Sequence, residues 1–133
     1  MMVGSLSPRR KLALAGEILA AYVRARWLLR GHDLPHVLAH LRAAPHRGRA
    51  EPAIADERLA RAVHRTLGTL PADSRCLMQS LVLTRLLARR NRPAKLVIGV
   101  SPTGAFTAHA WVERDGVPLL PTGEDEFGRL AEL

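Results

Sequence analysis

A chain of 133 residues, 47% hydrophobic and 24% charged, has the size and composition of one globular domain rather than of a disordered or multidomain protein. Its one cysteine excludes an intramolecular disulfide and a zinc site built on several cysteines, and with them a secreted disulfide scaffold. The net charge of +8 is uneven: residues 1–112 carry 18 basic and 6 acidic side chains, and residues 113–133 carry 2 and 6. A solvated, Arg-rich surface is the first reading of that balance, an acidic peptide partner the second, and nucleic acid the third, because the few aromatic residues are not interleaved with basic ones as base stacking requires.

From Pro8 to about Arg30 the apolar residues recur at helical spacing. One track runs through Leu12, Ala15, Leu19 and Tyr22 and a second through Leu14, Ile18 and Ala25, while Arg10, Glu17 and Arg24 share a polar face. The apolar run from Leu12 to Val23 contains Glu17 and falls well short of the ~20 residues of a membrane span. Arg9-Arg10-Lys11 ahead of it mimics a signal peptide, but the helical pattern continues past Arg24 and Arg26, so the segment is read as the first helix of a cytoplasmic domain. Gly31 suits the stop. A short helix follows, with Asp33 as N-cap, Pro35 in the first turn, and Leu34, Val37, Leu38 and Leu41 facing inward. Ala43 to Pro52 reads as a loop.

The next helix is expected from about Ile54 to Thr69, with its apolar stripe on Leu59, Ala62, Val63, Thr66, Leu67 and Leu70. Pro71-Ala72-Asp73-Ser74 breaks it. A further helix is expected to begin near Arg75 or Cys76, capped by Asp73 or Ser74, and to run to about Arg90 with Leu77, Leu81, Thr84 and Leu87/Ala88 on its core face. The period then changes. Ala94 to Val100 reads as a strand, Ser101 to Gly104 as a turn, and Ala105 to Glu113 as a second strand. Asp115-Gly116 supplies a hairpin turn, and Val117 to Leu120 the return strand. The fold class is therefore α+β: one domain over 1–133, helical over about 8–91 and a small antiparallel sheet over about 94–121.

Two residues could carry chemistry together. A thiol at a helix N-terminus meets free N–H groups and the positive end of the helix dipole, which favour the thiolate and an oxyanion formed when sulfur attacks a carbonyl. Cys76 is expected there, beside Arg75. His109 lies in a strand between Ala108 and Ala110, small neighbours that leave the imidazole approachable. Alone, such a cysteine reads as a small buried hydrophobe and such a histidine as a satisfied core residue. As a pair they are a Cys–His arrangement for acyl transfer, the imidazole taking the thiol proton and returning it to the leaving amine.

The run SRCLMQSLVLTRLLARRNRPAKLVIGV, followed by FTAHAWVERDG, resembles the lasso-peptide leader peptidases of the transglutaminase-like branch of the papain-type fold. Cys76, Leu77, Ser80, Leu81 and Leu83 fit the helical part of that pattern. Lys95 to Val100 and Ala108 to Glu113 fit its strands. The likeness covers about residues 74–120 and implies a transglutaminase-like fold and a cysteine peptidase with Cys76 and His109 as catalytic residues. The substrate it implies is a ribosomally made precursor, from which the leader is removed to leave a free core amine for a separate ATP-dependent macrolactam cyclase. The implied partner is a separate winged-helix protein that grips the leader, this chain being the standalone peptidase half. No cofactor, metal, nucleic acid or membrane enters that reading. The family often places an acid twelve residues after the histidine, to hold the imidazole in one tautomer and stabilise its cation. Here that position is Pro121. Glu124 or Asp125 could serve instead, or a backbone carbonyl could orient the ring; a solvated acidic tail is the plainer reading of Glu124-Asp125-Glu126.

Three further features weigh less. His32, His36 and His40 share one helical face, which reads as a surface stripe before a metal site. Trp111, two residues after His109, points to the same side of its strand, for core packing before shaping a cleft. Arg85, Arg89, Arg90, Arg92 and Lys95 form a basic cluster suited either to docking an acidic partner or to complementing a helix end. The competing functions are a transglutaminase-like acyl transferase with the same thiolate and an amine acceptor, and a non-catalytic basic binding module with Cys76 inert.

Overall fold

One helix is surrounded by the rest of the chain, and its sequence explains why. The computed structural model describes residues 8–43, 55–68, 72–92, 94–100, 108–120 and 128–133. Four helices come first: α1 (Pro8–Leu29), α2 (Leu34–Arg42), α3 (Asp56–Leu67) and α4 (Ala72–Arg89). Strands β1 (Lys95–Val100), β2 (Ala108–Arg114), β3 (Val117–Pro118) and β4 (Gly128–Glu132) follow, in an antiparallel sheet of spatial order β3-β2-β1-β4. The arrangement is α+β.

α4 packs against α1, α2, α3, β1 and β2. Every residue from Met78 to Thr84 is buried, as are Leu86 and Leu87. A helix buried all round over 78–84 has no polar face to spare there, so the single stripe expected over Leu77, Leu81, Thr84 and Leu87/Ala88 is too narrow. Its buried hydroxyls are satisfied within the helix: Ser80 Oγ donates to the Cys76 carbonyl (2.7 Å) and Thr84 Oγ1 to the Ser80 carbonyl (2.8 Å). Two apolar clusters flank it. One joins α1, α3 and the second half of α4 to Val97, Trp111 and Val112. The other joins the end of α1, α2 and the first half of α4 to Leu96.

The local signals hold where they are short-range. Asp33 caps α2, its side chain accepting from the His36 amide, with Pro35 in the first turn. α4 ends in a Schellman motif: Asn91 takes φ 58°, its amide donates to the Ala88 carbonyl, and the Arg92 amide donates to the Leu87 carbonyl. Asp115 (φ 53°) and Gly116 (φ 80°) make the two positive-φ positions of the β2–β3 hairpin.

Two further expectations are corrected and one open choice is settled. α4 begins at Ala72, so Asp73 and Ser74 lie inside it and neither is its N-cap. Of the two apolar tracks on α1, the core takes Leu14, Ile18 and Ala25, and leaves Leu12 and Leu19 of the other exposed. The sheet does not end near residue 121: β4 adds a fourth strand, pairing Val97 with Glu132 and Val100 with Gly128. The loop expected over 43–52 lies outside the described residues beyond Ala43, as do the turn at 101–104 and residues 105–107.

Candidate active site

Cys76 and His109 are carried on elements that pack directly, α4 and β2. At helical spacing Cys76 shares its side of α4 with Ser80, Leu83 and Leu87. Leu83 and Leu87 belong to the same cluster as Trp111 and Val112, so this side of α4 runs into the cluster that β2 helps to build. Cys76 is half-buried and carries a free thiol. His109 is half-buried, registers opposite Gly99 on β1, and lies 6.0 Å, ring centroid to centroid, from Trp111. The glycine opposite adds no side chain beside the imidazole.

Trp111 is buried, and its indole Nε1 donates to Glu113 Oε2 at 2.8 Å. Glu113 is itself buried, so this face of β2 is a ladder of His109, Trp111 and a carboxylate two residues further on. The bond holds the indole plane fixed beside His109. The sequence reading of Trp111 as a packing residue is right, and the carboxylate that locks it was not singled out.

The start of α4 changes the site's chemistry. With α4 beginning at Ala72, Cys76 sits in the second turn, not the first, and its amide falls four residues after the Ala72 carbonyl, its intrahelical partner. That amide is committed, so an oxyanion near Sγ needs a donor from elsewhere. One turn further on, Gln79 is 4% exposed; its Oε1 accepts a 3.2 Å hydrogen bond from His64 Nδ1 on α3, and its buried Nε2 has no hydrogen-bond partner. Residues three apart on a helix are neighbours, and long helical side chains lean toward the preceding turn, the one that holds Cys76. Gln79 is therefore a buried amide donor on the helical turn next to Cys76, with its oxygen already held. Sequence reading missed Gln79, because a glutamine in a helical run carries no signal until its burial is known.

Pro121, Glu124 and Asp125, the candidates for a third group, lie outside the described residues. The basic cluster resolves into ion pairs rather than an open patch. Arg89 and Arg90 bind Glu17, Arg92 binds Asp56, and Lys95 approaches Glu132 at 3.5 Å. Arg85 is held below the ordinary arginine range by burial first and by the nearby Arg24 and Arg89 charges second, with Glu17 opposing. The histidine stripe also disperses: His36 hydrogen-bonds Asp33, while His32 and His40 meet edge to face with centroids 5.1 Å apart. Among the described residues no group of three or more His, Cys, Asp or Glu is placed to hold a metal. None of the described helices is long and apolar enough to cross a membrane.

Compared with known proteins, residues 19–132 match the family described as the Transglutaminase-like superfamily. That span contains all of α2, α3 and α4, the four strands, and both Cys76 and His109. Neither the curated proteins nor the solved structures contain a match to this chain.

Proposed function

The chain belongs to the transglutaminase-like superfamily, which includes cysteine peptidases and acyltransferases, and from that premise we propose that it is a cysteine peptidase that removes the leader from a ribosomally made lasso-peptide precursor. The observation that carries the reading is that Cys76 on α4 and His109 on β2 sit on directly packed elements, both inside the segment that matches the family.

In this reading His109 takes the proton from Cys76 Sγ as sulfur attacks the scissile carbonyl. The oxyanion that forms is met by Gln79 Nε2. Collapse expels the amine of the core peptide, which takes the proton from His109 and leaves the leader as a thioester on Cys76. Water, deprotonated by His109, hydrolyses the thioester and restores the thiol. The Trp111–Glu113 bond limits where the ring of His109 can move. The motif around Cys76 and the strand Ala108 to Glu113 support the lasso-precursor substrate, a separate winged-helix protein that delivers the leader, and an ATP-dependent cyclase that consumes the freed amine.

The test is cleavage of a cognate precursor followed by mass spectrometry. Two fragments from the wild type, and none from Cys76→Ala with an unchanged circular dichroism spectrum, are expected. Retained cleavage by that variant overturns the reading. An isopeptide-linked product in place of two fragments assigns the chain to the acyltransferases of the superfamily. Because the chain has one thiol, alkylation reports on it alone. Its pH midpoint should lie below the ~8.5 of a free thiol and move when His109 is replaced by Ala.

A further inference from the structure

The face of α1 opposite the core is apolar and, among the described residues, exposed. Leu12 is 74% exposed, Leu19 51%, Val23 64% and Trp27 67%, and these are four of the five large hydrophobic residues exposed among the described ones. At 100° per residue they fall, with Gly16, on one narrow arc opposite Leu14, Ile18, Ala21 and Ala25, which face the core. The arc runs about 22 Å from Leu12 to Trp27, about four helical turns. α1 is thus apolar on two sides, a pattern that a helix with one buried face does not need.

We propose that this face is a docking surface for a protein partner that presents an amphipathic helix, with an apolar seam and acidic residues at both ends. Three observations select that occupant. First, the charges on α1 sit at its ends. Arg9 and Lys11 precede the arc, Arg24 and Arg26 accompany its last turn, and Arg30 follows, all exposed. The only acid on the helix, Glu17, is 6% exposed in its side chain and bound to Arg89 and Arg90. The rim is therefore basic at both ends. Second, a second copy of the chain would set basic ends against basic ends in either orientation, so the same charges oppose self-pairing and favour an acidic partner. Third, Gly16 stands in the middle of the arc. A glycine weakens a helix interior, and a Cβ added there would meet nothing within 4 Å, so packing inside the chain does not require it. With exposed Ala13 and Ala20 beside it, Gly16 forms a shallow trough between Leu12, Leu19 and Val23. A trough of small residues admits a second helix closely, whereas a lipid surface gains nothing from it.

Trp27 is the reporter, because the only other tryptophan, Trp111, is buried and bonded to Glu113. The full chain is titrated with a tryptophan-free helical peptide carrying a leucine seam and glutamates at both ends, with its twin carrying lysines there, and with phosphatidylglycerol vesicles. The acidic-ended peptide should shift Trp27 emission to the blue and bind roughly tenfold more tightly than the twin, the gap closing in high salt. Leu19→Arg and Gly16→Leu should each remove that binding with the circular dichroism spectrum unchanged. No shift with the acidic-ended peptide overturns the proposal. So does vesicle binding that Gly16→Leu strengthens, which would make the face a membrane contact. Sedimentation as a dimer that Leu19→Arg dissociates would make it a self-interface, and overturns the proposal as well.

Discussion

Glu17 is the point at which charge holds α1 to the end of α4, and its removal has a calculable cost. Its carboxylate accepts from Arg89 Nη1 at 3.2 Å and from Arg90 Nη1 and Nη2 at 3.0 Å each. The side chains of Glu17, Arg90 and Arg89 are 6%, 12% and 31% exposed. Glu17→Gln keeps the shape and removes the charge, leaving two guanidiniums partly desolvated without their counter-ion. Breaking a buried pair costs about 3–5 kcal/mol, and the water that Arg89 still reaches puts this case at the lower end, about 3 kcal/mol. For a chain of this size that lowers the thermal midpoint by about 10 °C. Urea denaturation followed by circular dichroism and tryptophan emission measures it. The loss should persist in 1 M salt, since a pair this enclosed is little screened. Replacing Glu17 and Arg90 together by Met should recover part of it, because the uncompensated charge is then gone. A loss below about 0.5 kcal/mol for Glu17→Gln would refute the reasoning, placing the pair with surface ion pairs that solvent already weakens.

Further predictions address the site and the turns. Gln79→Met should lower leader cleavage about 100-fold, the scale of losing one oxyanion donor, while leaving stability unchanged or raised because an unpaired buried amide is removed; full activity in that variant would exclude the donor role. The Asp33 carboxyl is held below its ordinary value of 3.8, chiefly by its hydrogen bond with the His36 ring and then by the His36 amide. A carboxylate with a lowered folded pKa stabilises above the unfolded pKa and loses that contribution as pH falls through the folded one. Asp33→Asn should therefore be less stable than wild type near neutral pH, the difference closing below pH 3.8; a gap that stays constant with pH would count against it. Gly116→Val places a β-branched residue at φ 80° and should cost about 1–3 kcal/mol in urea denaturation, whereas a neutral result would mean that the hairpin is not held in this form.

How much of this was legible in the sequence depended on the range of the signal. The Asp33 cap, the Asp115-Gly116 turn and the change from helical to extended pattern near residue 94 are each settled within a few neighbouring residues, and the sequence alone determined them. Cys76 and His109 were singled out through a resemblance, and both lie within the 19–132 span of the family match. The fourth strand was not: GRLAE alone has too little β pattern, and its backbone is satisfied only because β1 offers a free edge some thirty residues away.

The tertiary structure alone decided the rest. Both tracks of α1 have the helical period, and only the positions of α3 and α4 select which one is buried. Glu17 shares a polar face with Arg10 and Arg24 in sequence, yet it pairs with Arg89 and Arg90, more than seventy residues away. The start of α4 moved from near Arg75 or Cys76 to Ala72 and with it the Cys76 amide passed from free donor to helix partner, because Asp73 and Ser74 are equally acceptable as caps or as first-turn residues. The burial of Gln79 followed from the packing of α4 against three helices and two strands. Local propensity determines which segments are helix or strand; which face meets which, and which polar group is left without a partner, is determined by packing between segments that the chain brings together only when it folds.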